Sequence, residues 1–306
     1  MSRFKKARYF FEYALIRFLA FFINLLPFSF ALFLARPVGM LIFWFSKRRR
    51  RVALDNLHQT YGLEKSESEI QKIARDTFVH LCEFGIEWLR IPQIAKTPEK
   101  YLAITHVERI HSVLKTQKKG ALLLVSHNGN WELMALIAGL WIGRPIGRSI
   151  FALARPLKNP YLYDYAMRLR GITGLKSIPK IGAVRQTLRR LKENEIVCLL
   201  VDQRVSEGSV ESHFFGREAL TTSLPAIAAL RWETPIFFVF LHKANRFHYT
   251  LDVEGPVPIQ DTGDQKQDIQ TNTQRFNHRI ETEIRKDPAH WLWMHNRWRL
   301  EGMPKS

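Results

Sequence analysis

The segment 121–140, ALLLVSHNGNWELMALIAGL, sets a histidine, two asparagines, a glycine and a glutamate between two apolar runs. An imidazole in a strand-to-helix turn can serve as a general base, provided a partner fixes its tautomer. His127 and Glu132 are five residues apart; on one regular helix they would diverge by roughly 140°. If His127 lies in the turn and Asn130 caps a helix starting at Trp131, the chain can fold back. Glu132 then accepts a hydrogen bond from one ring nitrogen and leaves the other as the base. Gly129 would permit the tight turn. The same spacing also fits a histidine that only caps or packs.

Such a turn needs elements on either side. ALLLVS reads as a strand and WELMALIAGL as a helix. RSIFALA, EIVCLLV and PIFFVFLH read as further strands, and PYLYDYAMRLRG, IGAVRQTLRRLKEN and SLPAIAALRWE as helices between them. The alternation implies an α/β fold with a mixed, mostly parallel sheet flanked by helices. SHNGN, ARPLKN and VDQR each follow a candidate strand, so they are expected to converge at the carboxyl ends of the sheet. Upstream, Ser66 and Glu69 form a capping box for a helix running through Leu89, and 107–120 reads as another helix. RFHYTLDV suggests an antiparallel strand near the sheet edge. Residues 202–222 look irregular, and 264–288 reads as a last, mostly solvent-facing helix.

Composition bounds the partners. The 306 residues carry 46 Lys and Arg against 28 Asp and Glu, a net charge of +18. An acidic partner follows: anionic lipid, an acidic carrier protein or nucleic acid. The basic residues are dispersed and no nucleic-acid module is visible, so nucleic acid is the weakest of these. No charge occurs between Arg17 and Arg36, and both flanks are basic. Residues 1–46 therefore read as a membrane anchor, a transmembrane or interfacial helix or a hairpin bent near Pro27, and 47–306 as the catalytic domain. The alternative is a pair of amphipathic helices on the core. Cys82 and Cys198 form neither a disulfide framework nor a metal pair and suit reduced core positions. His106 and His111 lack metal-ligand spacing, and no glycine-rich phosphate loop is present.

HNGNWE fits the His-x4-Asp/Glu signature of the lysophospholipid-type acyltransferases. ARPLKNPYL, VDQR, FFGREALTTSLPAIAALRWETPIFFVF and DPAHWLWMHNRW follow in order. Together they resemble the late (secondary) acyltransferases of lipid A biosynthesis, the lauroyl/myristoyl branch, over nearly the whole chain. The resemblance implies a glycerolipid-acyltransferase-like fold at the cytoplasmic face of the cell inner membrane. It implies transfer of a fatty acyl chain from acyl carrier protein to a hydroxyl of a 3-hydroxyacyl chain on a Kdo-bearing lipid A precursor. No cofactor is implied beyond the carrier thioester as co-substrate, and no metal. His127 becomes the general base and Glu132 its orienting carboxylate, with direct attack on the thioester. Another phospholipid or glycolipid as acceptor, or a non-catalytic anionic-lipid-binding protein, are the alternatives.

The other blocks supply candidates for substrate binding. Arg155 matches the arginine of the second block and suits phosphate or an oxyanion, or else a surface ion pair. Asn159 suits a helix cap somewhat better than a substrate contact. Asp202 and Gln203 end a buried strand and would hold the mouth together or bind sugar. Gly216 and Arg217 offer a turn and a cation beside phosphate, or a plain loop tip. Trp291, Trp293 and Trp298 would line an acyl groove or sit at the interface with Arg297 and Arg299 at headgroup level; core packing is the other possibility. Asn296 stands where the family commonly carries a basic residue. Acyl chain length, the acylated position and oligomeric state are not encoded in these patterns.

Overall fold

A computed structural model of the protein describes all residues except Met1, Lys118, Arg155, Pro156, Thr173, Lys180, Ile181, Ser206, Arg246, Phe247 and 299–306. The chain opens with α1 (Arg3–Leu25) and α2 (Phe28–Phe45). The break between them falls at Pro27, whose ring cannot continue the helix before it. α3 (Lys47–Tyr61) carries the basic run, and α4 (Glu67–Leu89) follows. The capping box expected for α4 is present: Ser66 Oγ accepts from the Glu69 N–H, and the Glu69 carboxylate accepts from the Ser66 N–H at 2.9 Å. A short α5 (Ile91–Ile94) leads into the sheet domain.

The domain then alternates. β1 (Leu102–Thr105), α6 (Val107–Thr116), β2 (Ala121–Val125), α7 (Trp131–Ile137), β3 (Ile150–Ala154), α8 (Pro160–Ile172), β4 (Leu175–Pro179), α9 (Ala183–Lys192) and β5 (Ile196–Leu200) come first. A hairpin of β6 (Ser209–Phe214) and β7 (Arg217–Thr222), then α10 (Leu224–Trp232), β8 (Ile236–Asn245), β9 (His248–Glu254) and α11 (Gln265–Lys286) complete it. Seven strands form one sheet in the order β1-β9-β8-β2-β5-β3-β4. β8 and β9 pair antiparallel; the other pairs are parallel. Every residue of β2 is buried, as a central strand covered on both faces requires. The mixed, mostly parallel sheet flanked by helices is the architecture expected from the sequence.

Three features differ from the sequence reading. The edge strands β1 and β4 carry polar, exposed positions, so no continuous apolar run announces them. The irregular stretch 202–222 contains the β6–β7 hairpin, which turns at Phe215 and Gly216, both at positive φ. And α11 is not mostly solvent-facing. It buries Phe276, Ile280 and Ile284 together with Asp268, Asn272 and Asn277. Asn277 Nδ2 donates to Ser212 Oγ at 3.0 Å and to the His213 carbonyl at 3.0 Å. A face satisfied by hydrogen bonds leaves little apolar periodicity to read.

The N-terminal helices pack against α4, and α1 also against α8. Ala31, Leu32, Ala35, Gly39 and Phe43 form the buried face of α2. At Gly39 a Cβ would come within 2.6 Å of the Val79 Cα, so the glycine lets α2 and α4 approach closely. The opposite side exposes Phe30, Phe33, Leu41 and Trp44, and α1 exposes Phe11, Phe18, Phe21 and Phe22. Among the described residues, α2 is the one helix long and apolar enough to cross a bilayer.

Candidate active site

The turn between β2 and α7 is built residue by residue. Asn128 bridges to Trp291, and the Gly129 N–H donates to the His290 carbonyl at 3.0 Å. Gly129 holds φ +71°, where a side chain would be strained. Asn130 caps α7: its Oδ1 accepts from the N–H groups of Glu132 and Leu133 at 3.2 and 3.1 Å. The fold-back geometry of the turn is therefore as the sequence suggested, but its carboxylate partner is different.

His127 Nδ1 lies 2.8 Å from Asp202 Oδ1, and the His127 backbone N–H donates to Asp202 Oδ2 at 2.8 Å. Trp291 Nε1 donates to the same Oδ2 at 2.7 Å. Burial works to raise the Asp202 pKa, yet His127 and the Trp291 N–H outweigh it and hold the carboxyl below its usual value. Ionised Asp202 thus fixes the proton on Nδ1 and leaves the Nε2 lone pair outward, 3.1 Å from Gln203 Nε2. The imidazole packs edge-on to Trp131 and is 13% exposed.

The Glu132 carboxylate does not supply the hydrogen bond to Nδ1. Within the first turn of α7 it points to α8, where Arg170 Nε donates to Oε2 at 3.0 Å and Nη2 to Oε1 at 2.5 Å. This bidentate pair lies at the wall of a partly open, apolar-lined cavity between α7, α8 and the sheet. Leu123, Met134, Ala138, Ala152, Cys198 and Val239 are among its lining residues. Trp131 borders this cavity and also a much smaller one that reaches His127, His80 and His290.

Of the sequence-derived candidates, His127, Asp202 and Gln203 come together. Asn159 serves as the cap of α8, accepting from the Tyr161 and Leu162 N–H groups, and its amide donates to the Tyr9 carbonyl and to Glu12. It therefore ties α1 to the domain. Replacing Asn159 with alanine should lower stability by about 1–2 kcal/mol, read as a shifted denaturant midpoint. Gly216 sits at the hairpin tip, and the Arg217 guanidinium lies 4.2 Å over the Trp298 ring, so Arg217 supports the tryptophan cluster. Arg155 and Arg299 lie outside the described residues.

Headgroup-level placement of the tryptophans and Arg297 is overturned. Trp291, Trp293 and Trp298 are buried, and Arg297 is wholly enclosed, donating to the Leu220 carbonyl and Thr221 Oγ1. Burial lowers the Arg297 pKa to about 10. The hairpin tip, through Phe214 and Phe215, packs on Trp291 and so buttresses the residue that holds Asp202. Sequence reasoning missed Arg170 and the link from Trp291 to Asp202; neither has a spacing signal, because each partner lies on a distant element.

A family model described as bacterial lipid A biosynthesis acyltransferase matches residues 1–300. The lipid A biosynthesis acyltransferase of Haemophilus influenzae is 25% identical over 267 residues, covering 85% of this chain and 80% of that protein. The lipid A biosynthesis palmitoleoyltransferase of Escherichia coli is 23% identical over 287 residues, 92% and 89% of the two chains. A phosphatidylinositol mannoside acyltransferase of Mycolicibacterium smegmatis is 25% identical over 205 residues, covering 64% of this chain. The match spans 62% of that relative's length, and 35% of its Mycobacterium tuberculosis counterparts.

Proposed function

The chain belongs to the bacterial lipid A biosynthesis acyltransferases, and from that premise we propose that it moves a fatty acyl chain from acyl carrier protein to a hydroxyl of a Kdo-bearing lipid A precursor. The observation that carries the reading is His127, its Nδ1 held by ionised Asp202, its Nε2 facing only the Gln203 amide, and its ring packed on Trp131, which also lines the apolar cavity. In this reading Gln203 yields its place to the acceptor hydroxyl. Nε2 takes the hydroxyl proton as the oxygen attacks the thioester carbonyl, and Asp202 stabilises the imidazolium that forms. The tetrahedral intermediate collapses, the carbon–sulfur bond breaks, and the imidazolium proton goes to the departing thiolate. No acyl-enzyme is required. Glu132 and Arg170 form a charge-neutral ion pair in the cavity wall.

The donor's hydrocarbon would enter between the apolar walls of this cavity, gaining about 0.8 kcal/mol per buried methylene. Phenylalanine in place of Ala138 or Cys198 should shift preference toward shorter thioesters, since each refused methylene is worth about 1–3 kcal/mol. Competition between acyl-carrier donors of different length, read by mass spectrometry, checks this.

The two N-terminal helices would place the enzyme on the cytoplasmic face of the inner membrane, exposed phenylalanines in the acyl region and the basic residues of α3 at anionic headgroups. Arg36 sits in the middle of α2, where a spanning arrangement costs about 3 kcal/mol; lying in the interface avoids it. Serine at Phe18, Phe22, Phe33 and Trp44 together should release the protein from anionic vesicles in a flotation assay.

The deciding assay mixes the purified chain with acyl-carrier thioester and tetra-acylated precursor. An added acyl mass, lost in His127→Ala, supports the reading; activity that survives His127→Ala refutes the assigned base. The mycobacterial relatives favour one second reading, a phosphatidylinositol mannoside as acceptor. Substituting that acceptor in the same assay separates the two. Tight binding of precursor with no product would point to a lipid-binding protein instead.

A further inference from the structure

One face of α4 runs beneath the catalytic turn. His80, Phe84 and Glu87 are spaced i, i+4, i+7 and share that face. Each meets a different residue of the turn. His80 faces the Gly129 carbonyl without the geometry of a full hydrogen bond. The Phe84 ring lies 4.2 Å from that of Trp131. Glu87 Oε2 accepts from Asn130 Nδ2 at 2.7 Å, while Asn130 Oδ1 holds the first N–H groups of α7. The other Glu87 oxygen accepts from the Tyr249 hydroxyl. Lys243, paired with Glu83 at 2.7 Å, lies over the Tyr249 ring.

Glu87 and Asn130 are both fully buried. Burial pushes the Glu87 carboxyl up to about 7, against the pull of Lys243, Tyr249 and Asn130. For packing alone, a hydrophobic side chain of similar volume would serve at least as well. The carboxylate instead meets the one amide that caps the helix starting four residues after His127.

We propose that Glu87 is a positioning residue for His127, acting through Asn130 to fix the start of α7 and with it the turn that carries the imidazole. This rests on the acyl-transfer reading above. Without Glu87 the Asn130 amide has a buried donor unsatisfied and can rotate, which releases the Glu132 and Leu133 N–H groups. The turn then loses its anchor on the α7 side, leaving Asp202, Trp291 and His290 to hold it from the other. A misplacement of about 1 Å at a reacting group lowers rate on the order of 10²-fold.

The test compares the full chain with Glu87→Leu, Glu87→Gln, Asn130→Ser and the Glu87→Leu/Asn130→Ser pair. The probes are lauroyl-acyl carrier protein and the tetra-acylated precursor, well below each variant's melting temperature. Glu87→Leu should lower kcat by about 30- to 100-fold with donor KM within about threefold. Glu87→Gln, whose amide oxygen still accepts from Asn130, should recover kcat to within about fivefold of the parent. Asn130→Ser keeps a cap but cannot reach Glu87, so kcat should fall about tenfold, and the double variant should be no slower than Glu87→Leu alone.

Parent-like kcat in folded Glu87→Leu, or losses that multiply in the pair, would overturn the inference. If Glu87→Leu does not fold, Asn130→Ser decides it: parent-like kcat there sinks the link. His127→Ala separates the two levels. Its inactivity beside a fully active Glu87→Leu removes only this inference, whereas its activity removes the acyl-transfer assignment itself.

Discussion

Asp202→Asn should lower kcat by about 10³- to 10⁴-fold while the chain still folds and binds the precursor. The amide is nearly isosteric with the carboxylate, so the packing of Trp291 against it survives. The electronic situation does not. An asparagine can present its NH2 to Nδ1, which then becomes the acceptor and puts the proton on Nε2, the nitrogen that must take one. It also lacks the charge that stabilises the imidazolium. KM for the donor should move by no more than about threefold, because Asp202 does not line the apolar cavity. A pH series gives a second check. The folded-state pKa of Asp202 is depressed, so its ionisation stabilises the fold above the unfolded pKa, and that contribution disappears as pH falls below about 4. The parent should lose stability there more steeply than Asp202→Asn, measured by denaturant melts at pH 3 to 5. Equal slopes, or a kcat near the parent's, would remove Asp202 from the role of orienting carboxylate.

Glu132→Ala should destabilise the protein by about 3 kcal/mol, with a large loss of activity in the same variant. Glu132 is 7% exposed at its side chain and Arg170 25%, so truncating the carboxylate removes both hydrogen bonds of a largely buried bidentate ion pair at the wall of the apolar cavity. The double variant Glu132→Ala/Arg170→Ala removes both partners and should cost less than the two single losses summed, a non-additive cycle measured by chemical denaturation. The alternative implied by the family resemblance has Glu132 orienting His127. On that account Glu132→Ala would cost rate but little stability, and the Arg170 substitution would add independently. The first outcome shows coupling between the two sites and the second shows none.

Much of the local structure was legible in the chain. The capping box of Ser66 and Glu69, the break at Pro27 and the strand–turn–helix around HNGNWE are set within a few residues by backbone sterics and by side chains reaching the nearest N–H groups. The alternation of apolar runs likewise announced the α/β sheet, since burial on both faces leaves strands uniformly apolar. Short edge strands and the polar-faced α11 escaped, because their burial is settled by partners rather than by their own pattern.

The choice of carboxylate for the imidazole was never local. Glu132 is five residues from His127 and Asp202 is 75 away, yet Asp202 holds Nδ1. The reason is strand register: β2 and β5 pair in parallel with Val125 opposite Leu200, so the chain two residues further on brings His127 beside Asp202. The sequence by itself determined a histidine in a capped turn at a strand end. Only the pairing of two distant strands, with Trp291 arriving from the C-terminal segment and Glu87 from α4, decided which groups surround it.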